Sequence, residues 1–176
     1  SLKKTEGIKS VRVSLPEEQV YLFRLRLEKL GLEHIRESIE LTLEEHIPIK
    51  ASDAIFDYEI LGQDKQNLEI QVAAIPKNVI ENYLTIFQST GIKVQSFELE
   101  AQAIERAVIK NGDLGTYMIV DFGEKRTGIF IVSRGVISFT STLDVGGVML
   151  TETIAKNFKI SFEEAEKMKK QYGLLR

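Results

Sequence analysis

The stretch Val120-Asp121-Phe122-Gly123-Glu124-Lys125-Arg126-Thr127-Gly128-Ile129 carries the residue types that handle a phosphate. An apolar run ends in Asp121, turns through Gly123 and becomes strand-like again at Thr127. Backbone amides in such a turn can form an anion-binding concavity. Gly123 permits close backbone approach, and Thr127 brings a hydroxyl donor. Asp121 suits the water shell of a magnesium ion, which keeps several waters and takes one or two carboxylates. A second glycine-rich turn, Asp144-Val145-Gly146-Gly147, opens the next helical pattern, where anions are favoured by the helix N-terminus. The same spacing also fits two tight turns in a β-meander, because glycine and aspartate are the commonest turn residues.

Other chemistries find no support. Cysteine is absent, which removes disulfides, thiolate metal sites and cysteine nucleophiles. His34 and His46 fall at opposite ends of one helical pattern, too far apart to share a metal, and neither stands near a G-x-S-x-G elbow, a motif the chain lacks. Asp121-Phe122-Gly123 spells a kinase metal motif, but the H-R-D-L-x-x-x-N loop and the V-A-I-K lysine are missing. There is no Walker phosphate loop and no G-x-G-x-x-G. Arg24 and Arg26 share one face of a strand pattern and read as its exposed side. Glu163 with Lys167 and Glu166 with Lys170 stand four apart, the spacing of ion pairs on a solvated helix face.

The elements around these residues follow from periodicity. Val11, Val13 and Leu15 alternate as a strand, Pro16-Glu17-Glu18 reads as a turn, and residues 20–27 form a second strand. Leu32, Ile35, Ile39 and Leu43 recur at three and four, the stripe of an amphipathic helix that Pro48 must end. Strands follow at 53–61 and 68–75, then a helix that Gly91 closes, a short strand at 94–97 and an alanine-rich helix at 101–110. Asn111-Gly112-Asp113-Leu114-Gly115 is the best boundary. Beyond it come strands at 117–122, 127–133 and 136–143, a helix after Gly147, and a last helix opened by the capping box Ser161/Glu164.

The chain has 176 residues, 43% hydrophobic and 28% charged, enough for one ordinary domain or two small ones. No apolar run reaches the roughly 18–20 residues that span a bilayer. The formal charge of −3 gives no field to draw nucleic acid. No signal peptide opens the chain, so a cytoplasmic location is expected. Ser1 stands where a gene product would begin with methionine, as expected of a piece of a longer protein.

Asp121-x-Gly123-x-x-x-Thr127, then Val145-Gly146-Gly147, Thr151 and the acidic-basic run 163–169, resemble the actin-like ATPases, in the order found in the FtsA and PilM families. PilM, the type IV pilus assembly family, is the better match. Residues 11–17, Leu43-Glu44-Glu45-His46-Ile47-Pro48-Ile49, residues 57–62 and Val72-Ala73-Ala74-Ile75-Pro76 are similar to the strands and turns of its small inserted subdomain. The likeness covers nearly the whole chain.

The resemblance implies an α+β fold: an inserted interaction subdomain at 8–97, a connecting helix and linker at 98–114, and the start of a second actin-like, ribonuclease H-like lobe at 115–176. It implies that Asp121, Gly123, Thr127, Gly146 and Gly147 bind the cofactor, ATP with magnesium, in the intact parent, with Asp121 at the metal. Glu124 stands where FtsA relatives often carry another glycine. The first phosphate loop is expected upstream and the adenosine segments downstream, so this stretch alone is expected neither to hydrolyse ATP nor to bind it tightly. The implied partner is the N-terminal peptide of a PilN-type inner-membrane platform protein, which would recruit the chain to the inner face of the cytoplasmic membrane. Open strand edges add an expectation of self-association. The alternatives are an FtsA-like cell-division protein and a sugar-kinase-like enzyme.

Overall fold

The computed structural model describes residues 7–29, 31 and 34–173. The chain divides into two compact units, residues 1–110 and 111–176.

In the first unit, β1 (Ser10–Leu15) pairs in parallel with β5 (Lys93–Leu99), Val13 facing Phe97. The strands β2 (Tyr21–Glu28), β3 (Ala54–Gln63) and β4 (Asn67–Pro76) form an antiparallel sheet of order β2-β4-β3. Among the described residues this unit also has three α-helices, α1 (Ile35–His46), α2 (Lys77–Thr90) and α3 (Glu100–Val108), the last following β5. Ile35, Ile39 and Leu43 of α1 are buried in one cluster with Phe56, Ile70, Val72 and Ala74 from β3 and β4. Leu32, which the stripe also includes, lies outside the described residues. Ile47, before Pro48, turns extended and donates its amide to Leu43, which ends α1 as the proline requires. Gly91 closes α2 at φ 64, in the left-handed region where glycine carries no side-chain penalty.

The two strands flanking Pro16 enter different sheets. A short 3₁₀ turn, Glu17–Gln19, follows the proline. The Glu17 carboxylate is buried and accepts the Ala101 amide at 2.9 Å, in the first turn of α3. Arg24 and Arg26 lie on the open side of β2 and pair with Glu69 at 3.4 Å and Asp64 at 2.6 Å.

The second unit is a meander, β6 (Thr116–Phe122), β7 (Thr127–Ser133) and β8 (Val136–Leu143), followed by α4 (Gly147–Phe158) and α5 (Phe162–Tyr172). Arg134 and Gly135, both at positive φ, make the two-residue turn between β7 and β8. The central strand β7 buries Phe130 and Val132. Ser161 and Glu164 cap α5 reciprocally, each side chain bonded to the other's backbone amide, as the sequence spacing predicts.

Candidate functional site

In β6–β7, Asp121 faces Gly128 and Phe122 faces Thr127, so the turn spans 123–126. The Gly123 amide donates to Arg126 at 2.9 Å and closes it. A Cβ at Gly123 would lie 2.8 Å from the Arg126 carbonyl oxygen, so only glycine fits. Asp121 is exposed near the end of β6, and Glu124, Lys125 and Arg126 are exposed at the tip.

The second glycine turn packs directly on the first. The Gly147 amide donates to the Gly123 carbonyl at 3.0 Å, and the Val148 amide to Glu124 at 2.8 Å. A Cβ at Gly146 would sit 2.6 Å from both the Glu124 oxygen and the Lys125 carbonyl carbon. Thr127, only 6% exposed, donates its hydroxyl proton to the Val145 carbonyl at 2.6 Å. Gly123, Thr127, Gly146 and Gly147 are therefore one welded unit, with Asp121 beside it on β6.

This weld changes what each residue does. The Thr127 proton is directed to Val145, and a hydroxyl has one proton to give. Gly147 and Val148 are orphan donors of the first turn of α4, and hairpin carbonyls satisfy them. Gly146 is required for backbone approach to the hairpin. What faces outward is the exposed tip at 124–126 and the Asp121 carboxylate. That donor set fits one end of a magnesium-bound phosphate chain: a single carboxylate for the metal's water shell, and the turn's backbone with Lys125 for the anion, Arg126 lying 4.0 Å from Asp144. Among the described residues no group of three His, Asp or Glu side chains could hold a metal by itself.

Sequence spacing missed the cluster behind the weld. Lys169 of α5 donates to the Gly147 carbonyl at 2.8 Å, to the Thr151 hydroxyl at 2.7 Å and to Glu166 at 2.7 Å. Thr151 is fully buried and turns its own proton to Glu166. The Lys169 ammonium, then the Thr151 hydroxyl, lower the Glu166 carboxyl to about 2. Glu166 does pair with Lys170 at 3.4 Å, but its nearer partners lie on the inner side of α5. The signal available was Thr151 four residues beyond Gly147, one helical turn on the same face.

The first unit carries a groove of about 520 Å³ between one face of the β2-β4-β3 sheet and the β5–α3 segment. Leu22, Ile55, Ala73 and Phe97 give it apolar walls, while Asp57 and Glu59 stand exposed along β3. Glu98 also lines it and is held in a two-pronged pair with Arg106, both contacts 2.8 Å, which lowers the Glu98 carboxyl.

A strand meander whose turn meets a glycine-opened helix, in a chain that also carries a larger α+β unit, is part of an actin-like ATPase fold. MreB5 of Spiroplasma citri bound to AMPPNP shares it with a TM-score of 0.51, at 23% identity over 58% of this chain and 33% of that one. The chain belongs to the family of the type IV pilus assembly protein PilM, whose model matches residues 2–175. A chain of the PilM–PilN type IV pilus biogenesis complex superposes with a TM-score of 0.75, at 20% identity, covering 94% of this chain and 51% of that one. The cell division protein FtsA of Bacillus subtilis (strain 168) is 25% identical over 178 residues, 98% of this chain and 40% of that protein. The chain thus spans about two-fifths of that FtsA and half of the PilM–PilN complex chain. No helix among the described residues is long and apolar enough to cross a membrane.

Proposed function

We propose that this chain is the partner-binding and second-phosphate-loop part of a PilM-type scaffold that works at the inner face of the cytoplasmic membrane. The groove of the first unit carries the reading. Its apolar walls and the acidic residues Asp57 and Glu59 suit an extended peptide with apolar side chains and a cationic group. The likeness to a PilM–PilN complex supports the N-terminal peptide of a PilN-type membrane protein as that ligand. Residues 8–97 would be the inserted subdomain, 98–114 the connection and 115–176 the start of the second lobe.

The hairpin would hold the phosphate and magnesium end of ATP. Asp121 would orient the metal's waters, and the backbone at 123–126 would face the phosphate. Gly146, Gly147 and Thr127 would keep that turn in place. Bound magnesium-ATP supplies charge and rigidity to the lobe. The residues of this chain bind and orient one end of it.

The test is fluorescence anisotropy with a labelled N-terminal peptide of a PilN-type protein. Ala73→Arg, in the groove, should abolish binding, and Asp121→Ala should leave it unchanged. Equal binding by the Ala73→Arg protein would overturn the groove assignment. In titration calorimetry the 176-residue chain should bind magnesium-ATP in the millimolar range or more weakly, about −4 kcal/mol or less favourable. Micromolar binding would show a complete site in this stretch.

A further inference from the structure

We propose that Lys169 is a positioning residue for the 123–126 turn, acting through the Gly147–Val148 peptide group. The Gly147–Val148 peptide group is held on both sides: its amide, on Val148, donates to the Glu124 carbonyl at 2.8 Å, and its carbonyl, on Gly147, accepts from Lys169 at 2.8 Å. The adjoining Gly147 amide donates to the Gly123 carbonyl at 3.0 Å. The ammonium has three protons, and three acceptors surround it: Gly147, Thr151 and Glu166. Its side chain is 24% exposed and that of Glu166 is 29% exposed, so the cluster is partly shielded from solvent. A Cβ at Gly147 would stand 3.5 Å from the Lys169 nitrogen, ordinary contact distance, so the ammonium lies directly against that backbone.

The consequence is directional. Helix α5 fixes the first turn of α4, and that turn in turn fixes the hairpin through Gly147 and Val148. Without Lys169 the Gly147 carbonyl would lose its charged donor, and the amides aimed at Gly123 and Glu124 would lose their fixed direction. The functional meaning rests on the reading of the hairpin as phosphate-facing, but the mechanical claim does not.

Amide hydrogen exchange on the nucleotide-free protein tests it, comparing Lys169→Met and Thr151→Val with the unaltered chain. In Lys169→Met the Gly147 and Val148 amides should exchange about tenfold faster or more, the loss expected of a hydrogen bond to a charged group. Thr151→Val should accelerate the same amides by a smaller factor. Phe130 and Val132 in β7 and Lys156 and Asn157 late in α4 should keep their rates. Unchanged rates at Gly147 and Val148, or equal acceleration along all of α4, would overturn the proposal. If Lys169→Met also releases Phe130 and Val132, the unit has not folded, and Thr151→Val decides on the same criteria. Titration of the unaltered intact protein with magnesium-ATP tests the phosphate reading separately: no binding would overturn that reading while the exchange rates still decide the role of Lys169.

Discussion

Thr127 and Val145 stand 18 positions apart in sequence, and the hydroxyl of the first donates to the carbonyl of the second at 2.6 Å. That bond joins the start of β7 to the segment that opens α4. A residue type that suits a phosphate donor thus ties two protein turns together, and it does so while almost fully buried.

Thr127→Val keeps the branched shape and removes the proton. It should lower the unfolding free energy of the second unit by about 1 kcal/mol, the usual net value of one hydrogen bond. Thr127→Ser keeps the donor and should cost less. Denaturant midpoints of the two variants check the order, and a Val variant as stable as Ser would show that the bond contributes nothing.

Gly146→Ala forces a methyl to 2.6 Å from the backbone of Glu124 and Lys125, where backbone must shift. The expected loss is about 1–3 kcal/mol, as for overpacking. Gly62→Ala is the control, since nothing lies within 4 Å of its added carbon. Thermal unfolding should separate the two variants. Equal melting temperatures would contradict the close approach.

The Glu166 carboxyl is lowered from 4.5 to about 2, first by Lys169 and then by Thr151. A carboxylate depressed by folding contributes stability that is complete above its unfolded pKa and lost as pH falls through the folded value. The second unit should therefore weaken between about pH 5 and pH 2. Asp113 and Glu164 in the same unit are lowered as well, so the comparison is made against Glu166→Gln at each pH. Stability curves of the two proteins should converge as the pH falls. A constant gap would show that the carboxylate charge is not what the cluster uses.

Glu17 and Ala101 lie 84 positions apart and are joined by a carboxylate–amide bond at 2.9 Å. Glu17→Ala leaves the first turn of α3 without this acceptor and should cost the first unit about 1.5–3 kcal/mol, as for a hydrogen bond to a charged group. Glu17→Gln keeps an oxygen acceptor and should cost less. Urea unfolding, followed by exchange of the Ala101 amide, gives the measurement. Glu17→Ala with unaltered Ala101 exchange would place the cap elsewhere.

What the sequence by itself determined was local. The stripe of Ile35, Ile39 and Leu43, the stop at Pro48, the left-handed Gly91 and the Ser161/Glu164 cap each depend on neighbours within a turn or two, so residue order alone encodes them. The Asp121–Thr127 hairpin was legible for the same reason. Only the tertiary structure decided which distant group each donor meets. The pairing of β1 with β5, the tie from Thr127 to Val145 and the grip of Lys169 on Gly147 all join segments that periodicity treats as independent. A hydroxyl or an ammonium announces in the sequence that it will donate. Its acceptor is chosen by how sheets and helices pack, because a buried donor must take the oxygen that packing brings within about 3 Å.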